Sequence, residues 1–181
     1  MKKYELTSET LRYAGHTLHR IKALRDFGVF KAGELGGWIE SEENLSQAGN
    51  AWVFDNAKVF GGARVIDYAE VYSNALVCDN AMACGFAKIF DNAEVFGKAV
   101  ISGNAKVCDD ADYIVFKNFW SSGRYFTWTR SNNKWRVGCF YGTGEELIKK
   151  AYADSEKSGR EYERVVRYVE SILADEQKKS N

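Results

Sequence analysis

Residues 50–61 read Asn50-Ala51-Trp52-Val53-Phe54-Asp55-Asn56-Ala57-Lys58-Val59-Phe60-Gly61, and the pattern they set runs on to residue 111. An alanine returns every sixth position: Ala51, Ala57, Ala63, Ala69, Ala75, Ala81, Ala87, Ala93, Ala99, Ala105 and Ala111. Two positions after each stands an aliphatic residue, from Val53 through Val71 and Ile89 to Val107, with Ala83 and Tyr113 as the departures. Residues two apart on an extended segment point to the same side. The next two positions carry turn formers, as in Asp55-Asn56, Gly61-Gly62, Asp79-Asn80 and Gly103-Asn104. Each hexad is therefore one short strand plus one corner. Hairpins at every sixth residue would leave too little strand, whereas a coil that always winds the same way needs only corners.

Three hexads close a triangular turn, and successive turns stack as parallel β-structure with alanine at the inner corner and valine on the axis. The stretch Val53-Phe54-Asp55-Asn56-Ala57 resembles the motif of the hexapeptide-repeat superfamily, which implies a mainly β fold, a left-handed parallel β-helix. Residues 50–115 would make about 3.5–4 turns, a stub roughly 15–20 Å tall at the sheet spacing. Two open ends on so short a solenoid require caps.

Residues 1–49 lack the repeat and are expected to form an N-terminal cap. Leu11 to Ala14 and Thr17 to Leu24 read as strands around Gly15-His16, and Trp38 and Ile39 are placed to close the first turn. Leu45 falls six before Ala51, so the coil is expected to begin near Ile39. Residues 116–181 form a third region. Arg124 to Arg130 and Lys134 to Phe140 read as a hairpin across Asn132-Asn133. Thr143 and Glu146 have capping-box spacing for a helix over about 144–154. After Gly159, Tyr162, Val165, Val166, Val169, Ile172 and Leu173 make an apolar helical stripe, and residues 175–181 a polar tail.

The stretch Arg20 to Phe27, then Lys31-Ala32-Gly33, Gly36-Gly37-Trp38-Ile39 and Asn44-Leu45-Ser46-Gln47, resembles the entry segment of a bacterial β-helix family known as transferases by label alone. The stretch Gly138 to Thr143 with Glu145-Glu146-Leu147 is similar to a module on phage and prophage proteins. Together these resemblances imply a phage-like origin, and with it a candidate inhibitor of a host defence system.

A net charge of zero gives no long-range field toward nucleic acid or an anionic membrane, and neither is expected as a partner. No signal peptide and no long apolar run is present, so a cytoplasmic location is expected. Cys78, Cys84, Cys108 and Cys139 have no metal-ligand spacing and read as free thiols; no metal or cofactor is expected. Hexapeptide acyltransferases use a histidine as general base. The histidines here, His16 and His19, both fall in the cap, and the coils carry no inserted loop. The expectation is a non-enzymatic protein that self-associates and binds a protein partner. The alternatives are an acyltransferase using acyl-CoA, and a sponge for a small phosphorylated or nucleotide ligand.

The outward positions name the binding candidates. One face carries Trp52, Phe54, Tyr72 and Phe90, a second Phe60 and Phe96, and a third Ile66, Met82 and Val100. Ladders this apolar call for a covering element or a partner. A small anionic ligand is the further candidate, at Gly142, Thr143 and Gly144 with Arg124, where a helix start supplies N–H donors.

Overall fold

A computed structural model describes residues 1–179. The chain divides into two compact units, Met1–Tyr113 with Thr129–Asn132, and Ile114–Trp128 with the chain from Asn133 onward.

The first unit opens with an antiparallel hairpin of β1 (Tyr4–Tyr13) and β2 (His16–Ala23), turned through Ala14 and Gly15 at positive φ. The strand β3 (Leu35–Ile39) then pairs antiparallel with β2 on one edge and parallel with the first coil on the other, at Trp38↔Lys58 and Ile39↔Val59. It is thus the joint at which antiparallel sheet becomes solenoid. Its glycines fit that role. A Cβ on Gly36 would stand 2.6 Å from Val53 O, and one on Gly37 2.7 Å from Ala57 O.

The solenoid consists of two-residue strands: β4 (Trp52–Val53), β5 (Lys58–Val59), β6 (Arg64–Val65), β7 (Glu70–Val71), β8 (Leu76–Val77), β9 (Met82–Ala83), β10 (Lys88–Ile89), β11 (Glu94–Val95), β12 (Val100–Ile101) and β13 (Lys106–Val107). Every third strand pairs in parallel, giving the orders β3-β5-β8-β11, β4-β7-β10-β13 and β6-β9-β12. Bonds such as Phe54 N–H to Val71 O (2.8 Å) and Lys58 N–H to Ala75 O (3.0 Å) join successive turns. Val53, Val59, Val65, Val71, Val77, Ile89, Val95, Ile101 and Val107 have no exposed surface, and neither have most of the repeat alanines up to Ala105. The repeat therefore forms the parallel β-solenoid of about four turns that its period demands. The coil begins as its spacing predicts, since Leu45 bridges in parallel to Val65.

Both ends are closed within the first unit. At the start, Tyr4 and Ile21 are fully buried, Tyr4 Oη donates to Leu45 O (2.6 Å), and Lys3 Nζ donates to Ala51 O (2.8 Å). At the far end the last alanine departs from its expected place. Ala111 is exposed in a short 3-10 turn, Asp110–Asp112, because Asp109 Oδ1 accepts from Ala111 N–H and Asp112 Oδ2 from Cys108 N–H. These carboxylates close a local turn where a further rung would have formed. Ser131 Oγ then accepts from Lys106 N–H (2.7 Å).

The second unit is a four-stranded sheet with two helices. Its strands β14 (Tyr113–Lys117), β15 (Tyr125–Thr129), β16 (Lys134–Val137) and β17 (Phe140–Gly142) lie in sequence order. The hairpin across Asn132-Asn133 forms, but the expected strand from Lys134 to Phe140 is two strands, broken at Gly138 with φ 58. Helix α1 (Gly144–Asp154) starts at the expected capping box, with Thr143 Oγ1 accepting from Glu146 N–H. Helix α2 (Glu156–Lys179) begins before Gly159. Gly159 lies inside it, and a Cβ there would meet the Tyr152 ring at 2.2 Å, so the position takes glycine where the two helices come close. The expected polar tail is helical through Lys179, and residues 180–181 of that tail lie outside the described residues. Phe126, Trp128, Trp135, Leu147, Val166 and Val169 form the core of this unit. Among the described residues, no helix is long and apolar enough to cross a membrane.

Candidate functional site

The hairpin and β3 bring together two residues 24 positions apart. β2 pairs with β3 through His19↔Ile39, so the chain running back from His19 to His16 meets the chain running forward from Ile39 to Glu40. His16 Nδ1 lies 2.8 Å from Glu40 Oε1. The second oxygen, Glu40 Oε2, accepts from the Gly61 backbone N–H at 2.8 Å, a donor at the solenoid corner that follows β5. Both carboxylate oxygens are thus engaged, and Glu40 is tied to the coil.

The His16 bond and then the Gly61 N–H hold the Glu40 carboxyl below the usual carboxylate range. A carboxylate acceptor places the imidazole proton on Nδ1 and leaves the lone pair on Nε2. The ring itself lies against Phe60, centroids 4.8 Å apart. Phe60 is held in turn by Tyr13, edge-on at 5.8 Å, and by the cluster of Leu18 and Leu76. His16 keeps 37% of its side chain exposed, so a fixed imidazole remains accessible to solvent. A histidine oriented by a carboxylate, with one nitrogen open, can take a proton from an attacking hydroxyl or amine. His19 is placed differently: its Nδ1 lies 3.2 Å from Thr7 O, within the hairpin.

The sequence shows both histidines but not the pairing with Glu40. The glutamate sits beyond the Gly36-Gly37-Trp38-Ile39 stretch with no motif spacing to His16. The usable signal was the turn at Gly15-His16, since a tip residue of a hairpin feeding the first coil is brought to that coil's corner.

The apolar faces meet different fates. Trp52 is 1% exposed, because Phe27 and Phe30 pack on it at 5.1 and 5.7 Å and Tyr4 at 6.0 Å. Phe60 is buried under the hairpin. Neither is therefore open to a partner, because residues of the N-terminal cap cover them. Phe54, Tyr72 and Phe90 form a half-buried ladder, the last two stacked at 5.1 Å. Phe96 is 52% exposed. Ile66, Met82 and Val100 are half-buried along the β6-β9-β12 sheet.

The helix start at residues 142–144 is occupied by its own chain. Glu146 Oε2 accepts from Thr143 N–H (2.7 Å) and Oγ1 (3.0 Å) and lies against Gly142. An anion at Gly142, Thr143 and Gly144 would have to displace that carboxylate. Arg124 lies instead beside Gly138, lining a small recess with Leu147, Asp154 and Tyr162.

None of the four cysteines is in a disulfide. Among the described residues, no group of three His, Cys, Asp or Glu side chains is placed to hold a metal ion.

No protein-family model matches the chain. One curated protein is similar: the uncharacterized acetyltransferase YdcK of Escherichia coli (strain K12), 40% identical over 72 residues. The match covers 35% of this chain and 22% of the relative, so the chain spans about a fifth of the protein it matches. That name corrects the expectation of a non-enzymatic protein. The expectation came from searching the coils for a histidine, whereas the oriented imidazole is on the hairpin that feeds them. The resemblance to phage and prophage proteins gains no support from these comparisons.

Proposed function

We propose that this chain is an acyltransferase that moves an acyl group from a coenzyme A thioester to a hydroxyl or amine, with His16 as general base. The observation that carries the reading is the His16–Glu40–Gly61 relay. It fixes the tautomer and the plane of an accessible imidazole at the corner of a hexapeptide-repeat solenoid. The acetyltransferase name of the similar protein supports the same reaction class.

In this reading His16 Nε2 takes the proton as the acceptor oxygen or nitrogen bonds to the thioester carbonyl. The tetrahedral intermediate then breaks its C–S bond, and the imidazolium returns the proton to the departing thiolate. Glu40 stays ionised throughout and stabilises the imidazolium that forms. Cys78, pushed up to about 11 mainly by burial, is unsuited to serve as a nucleophile instead.

The test is thiol release from acetyl-CoA in the presence of a panel of amines and hydroxyl compounds. Wild type should release thiol with at least one acceptor. His16→Ala should lower kcat/KM by about 10²–10⁴-fold, the usual contribution of a general base. Glu40→Gln should lower it less and chiefly in kcat. The reading fails if no acceptor supports thiol release, or if His16→Ala turns over as wild type does.

A further inference from the structure

The sheet of the second unit ends at β14, and among the described residues no strand pairs with its outer edge. The register fixes which backbone groups that edge presents. Arg130 N–H donates to Asp112 O (2.8 Å), and Asn118 N–H donates to Arg124 O (2.9 Å). Both bonds fit one uninterrupted antiparallel register, so the even-numbered residues of β14 bond to β15. The N–H and C=O groups of Val115 and Lys117 then point away from the sheet. Edge strands are commonly blunted by proline, a bulge or several charges. β14 reads Tyr113-Ile114-Val115-Phe116-Lys117, with neither proline nor bulge and with its one charge at the end.

Beside that edge lies a cavity of about 440 Å³. Phe116 and Trp120 line it from the β14 side and Val165 and Tyr168 from α2, while no residue of β15 reaches it. It is therefore a groove between an edge strand and a helix, beyond the last strand of the sheet. Phe116 is set edge-on to Tyr168 at 6.0 Å. Trp120 is 66% exposed and Tyr168 56%, so the groove leaves large apolar rings in water. Lys117 projects to the other face of the sheet, where its Nζ lies over Tyr125 at 5.6 Å with no carboxylate in contact. A row of backbone donors and acceptors thus runs between an apolar slot on one face and a positive charge on the opposite face. An extended chain, whose successive side chains alternate between faces, is the ligand that meets all of these at once.

We propose that the groove takes an extended peptide segment of a partner protein, which adds to β14 as a further strand of the sheet. One bulky aliphatic or aromatic side chain of that segment is seated between Phe116, Trp120 and Tyr168. A neighbouring acidic residue of the segment turns to the opposite face and lies across from Lys117, where opposite charges on adjacent strands attract. Main-chain bonds to Val115 and Lys117 supply affinity, and the slot and the lysine supply selection. This site is independent of His16, so its failure would leave the acyl-transfer reading untouched.

The test titrates the full chain with fluorescein-labelled synthetic peptides of about six residues, the length of a strand. The peptides alternate an apolar position, filled by leucine, phenylalanine or alanine, with a position filled by glutamate or lysine. Leucine or phenylalanine with glutamate should bind with Kd below about 100 μM, and the alanine peptides should bind about tenfold or more weakly. N-methylating the backbone amides of the best peptide keeps its side chains and should abolish binding. The bound peptide should slow hydrogen exchange at the Val115 and Lys117 amides. Val115→Pro removes an outward N–H and no bond to β15, at an edge where proline is accepted, and should weaken binding about tenfold or more. Tyr168→Ala, at an exposed position, should do the same, and Lys117→Glu should move the preference to the lysine peptides. The proposal is overturned if no peptide binds below about 100 μM, or if the N-methylated peptide binds as well as its parent. It is equally overturned if Tyr168→Ala, or a folded Val115→Pro, binds as wild type does. A wild-type dimer in light scattering that Val115→Pro makes monomeric would give the edge to a second copy of the chain, and would overturn it too.

Discussion

The corner residue of the solenoid explains why aspartate and glycine alternate along the repeat. Asp55, Asp67, Ser73, Asp79 and Asp91 all have positive φ, and glycines fill equivalent corners, such as Gly61 and Gly85. For an L-residue that conformation costs roughly 1–2 kcal/mol, and the aspartates offset it with a bond to the turn above. Asp55 Oδ2 accepts from Ser73 N–H, Asp67 Oδ2 from Gly85 N–H and Asp79 Oδ2 from Gly97 N–H, each at 3.0–3.1 Å across 18 residues. The carboxylates are thus a structural ladder, which accounts for the turn role their position in the sequence suggests. Glycine is required only where the next turn comes too close, as at Gly49, whose Cβ would stand 2.3 Å from Asp67 O. Asp67 tests the two contributions separately. Asp67→Ala keeps the strained φ and loses the bond, and should cost about 1–2 kcal/mol. Asp67→Gly loses the bond but relieves the φ, and should be about 1 kcal/mol more stable than the alanine variant in urea unfolding. Equal stabilities would mean that the corner stores no backbone strain.

Elements were legible where a side-chain period or a capping motif displays their cause. The solenoid strands follow from a side-chain period that any two adjacent hexads display, and helix α1 follows from Thr143 and Glu146, three residues apart. The failures come from side-chain contacts that neither the period nor the capping-box spacing displays. Ala111 keeps the repeat spacing, yet Asp109 and Asp112 draw it into a 3-10 turn. Gly159, expected before the second helix, instead sits inside α2, where it leaves room for the Tyr152 ring of α1, a contact between two helices that no periodicity within one displays. The inward assignment that underlies the solenoid has a direct test in Val71, which has no exposed surface and pairs with both Val53 and Ile89. Val71→Asp places a carboxylate on the axis with no donor to receive it. The cost, several kcal/mol against a domain stability of about 5–15, should abolish the cooperative β-sheet transition in circular dichroism. An unchanged thermal midpoint would show that residue 71 faces outward.

Over the whole molecule, the candidate site was less legible than the fold because it joins segments that the repeat does not govern. His16 and Glu40 meet through strand register, and that pair has no spacing rule. The four cysteines sample both units and check which surfaces are open. Cys139 is exposed in the second unit, so it should react first with a disulfide reagent at pH 8. Cys108 is exposed too, but its thiol donates to Asp112 Oδ2 at 3.3 Å, and that bond raises its pKa. A raised thiol pKa means less thiolate at pH 8, so Cys108 should react more slowly than Cys139 and gain rate as pH rises. Asp112→Asn, which removes the negative charge beside the sulfur, should bring it closer to the Cys139 rate. Cys84 is 8% exposed, and Cys78 is half-buried and pushed up to about 11, chiefly by burial and then by Asp79 and Glu94. Cys84 should therefore react only as fast as the solenoid opens, with urea accelerating it in step with unfolding, while the raised pKa of Cys78 should make it slow at pH 8. Fast labelling of Cys84 in the native protein, counted by mass spectrometry, would show that the β6-β9-β12 face is open to solvent.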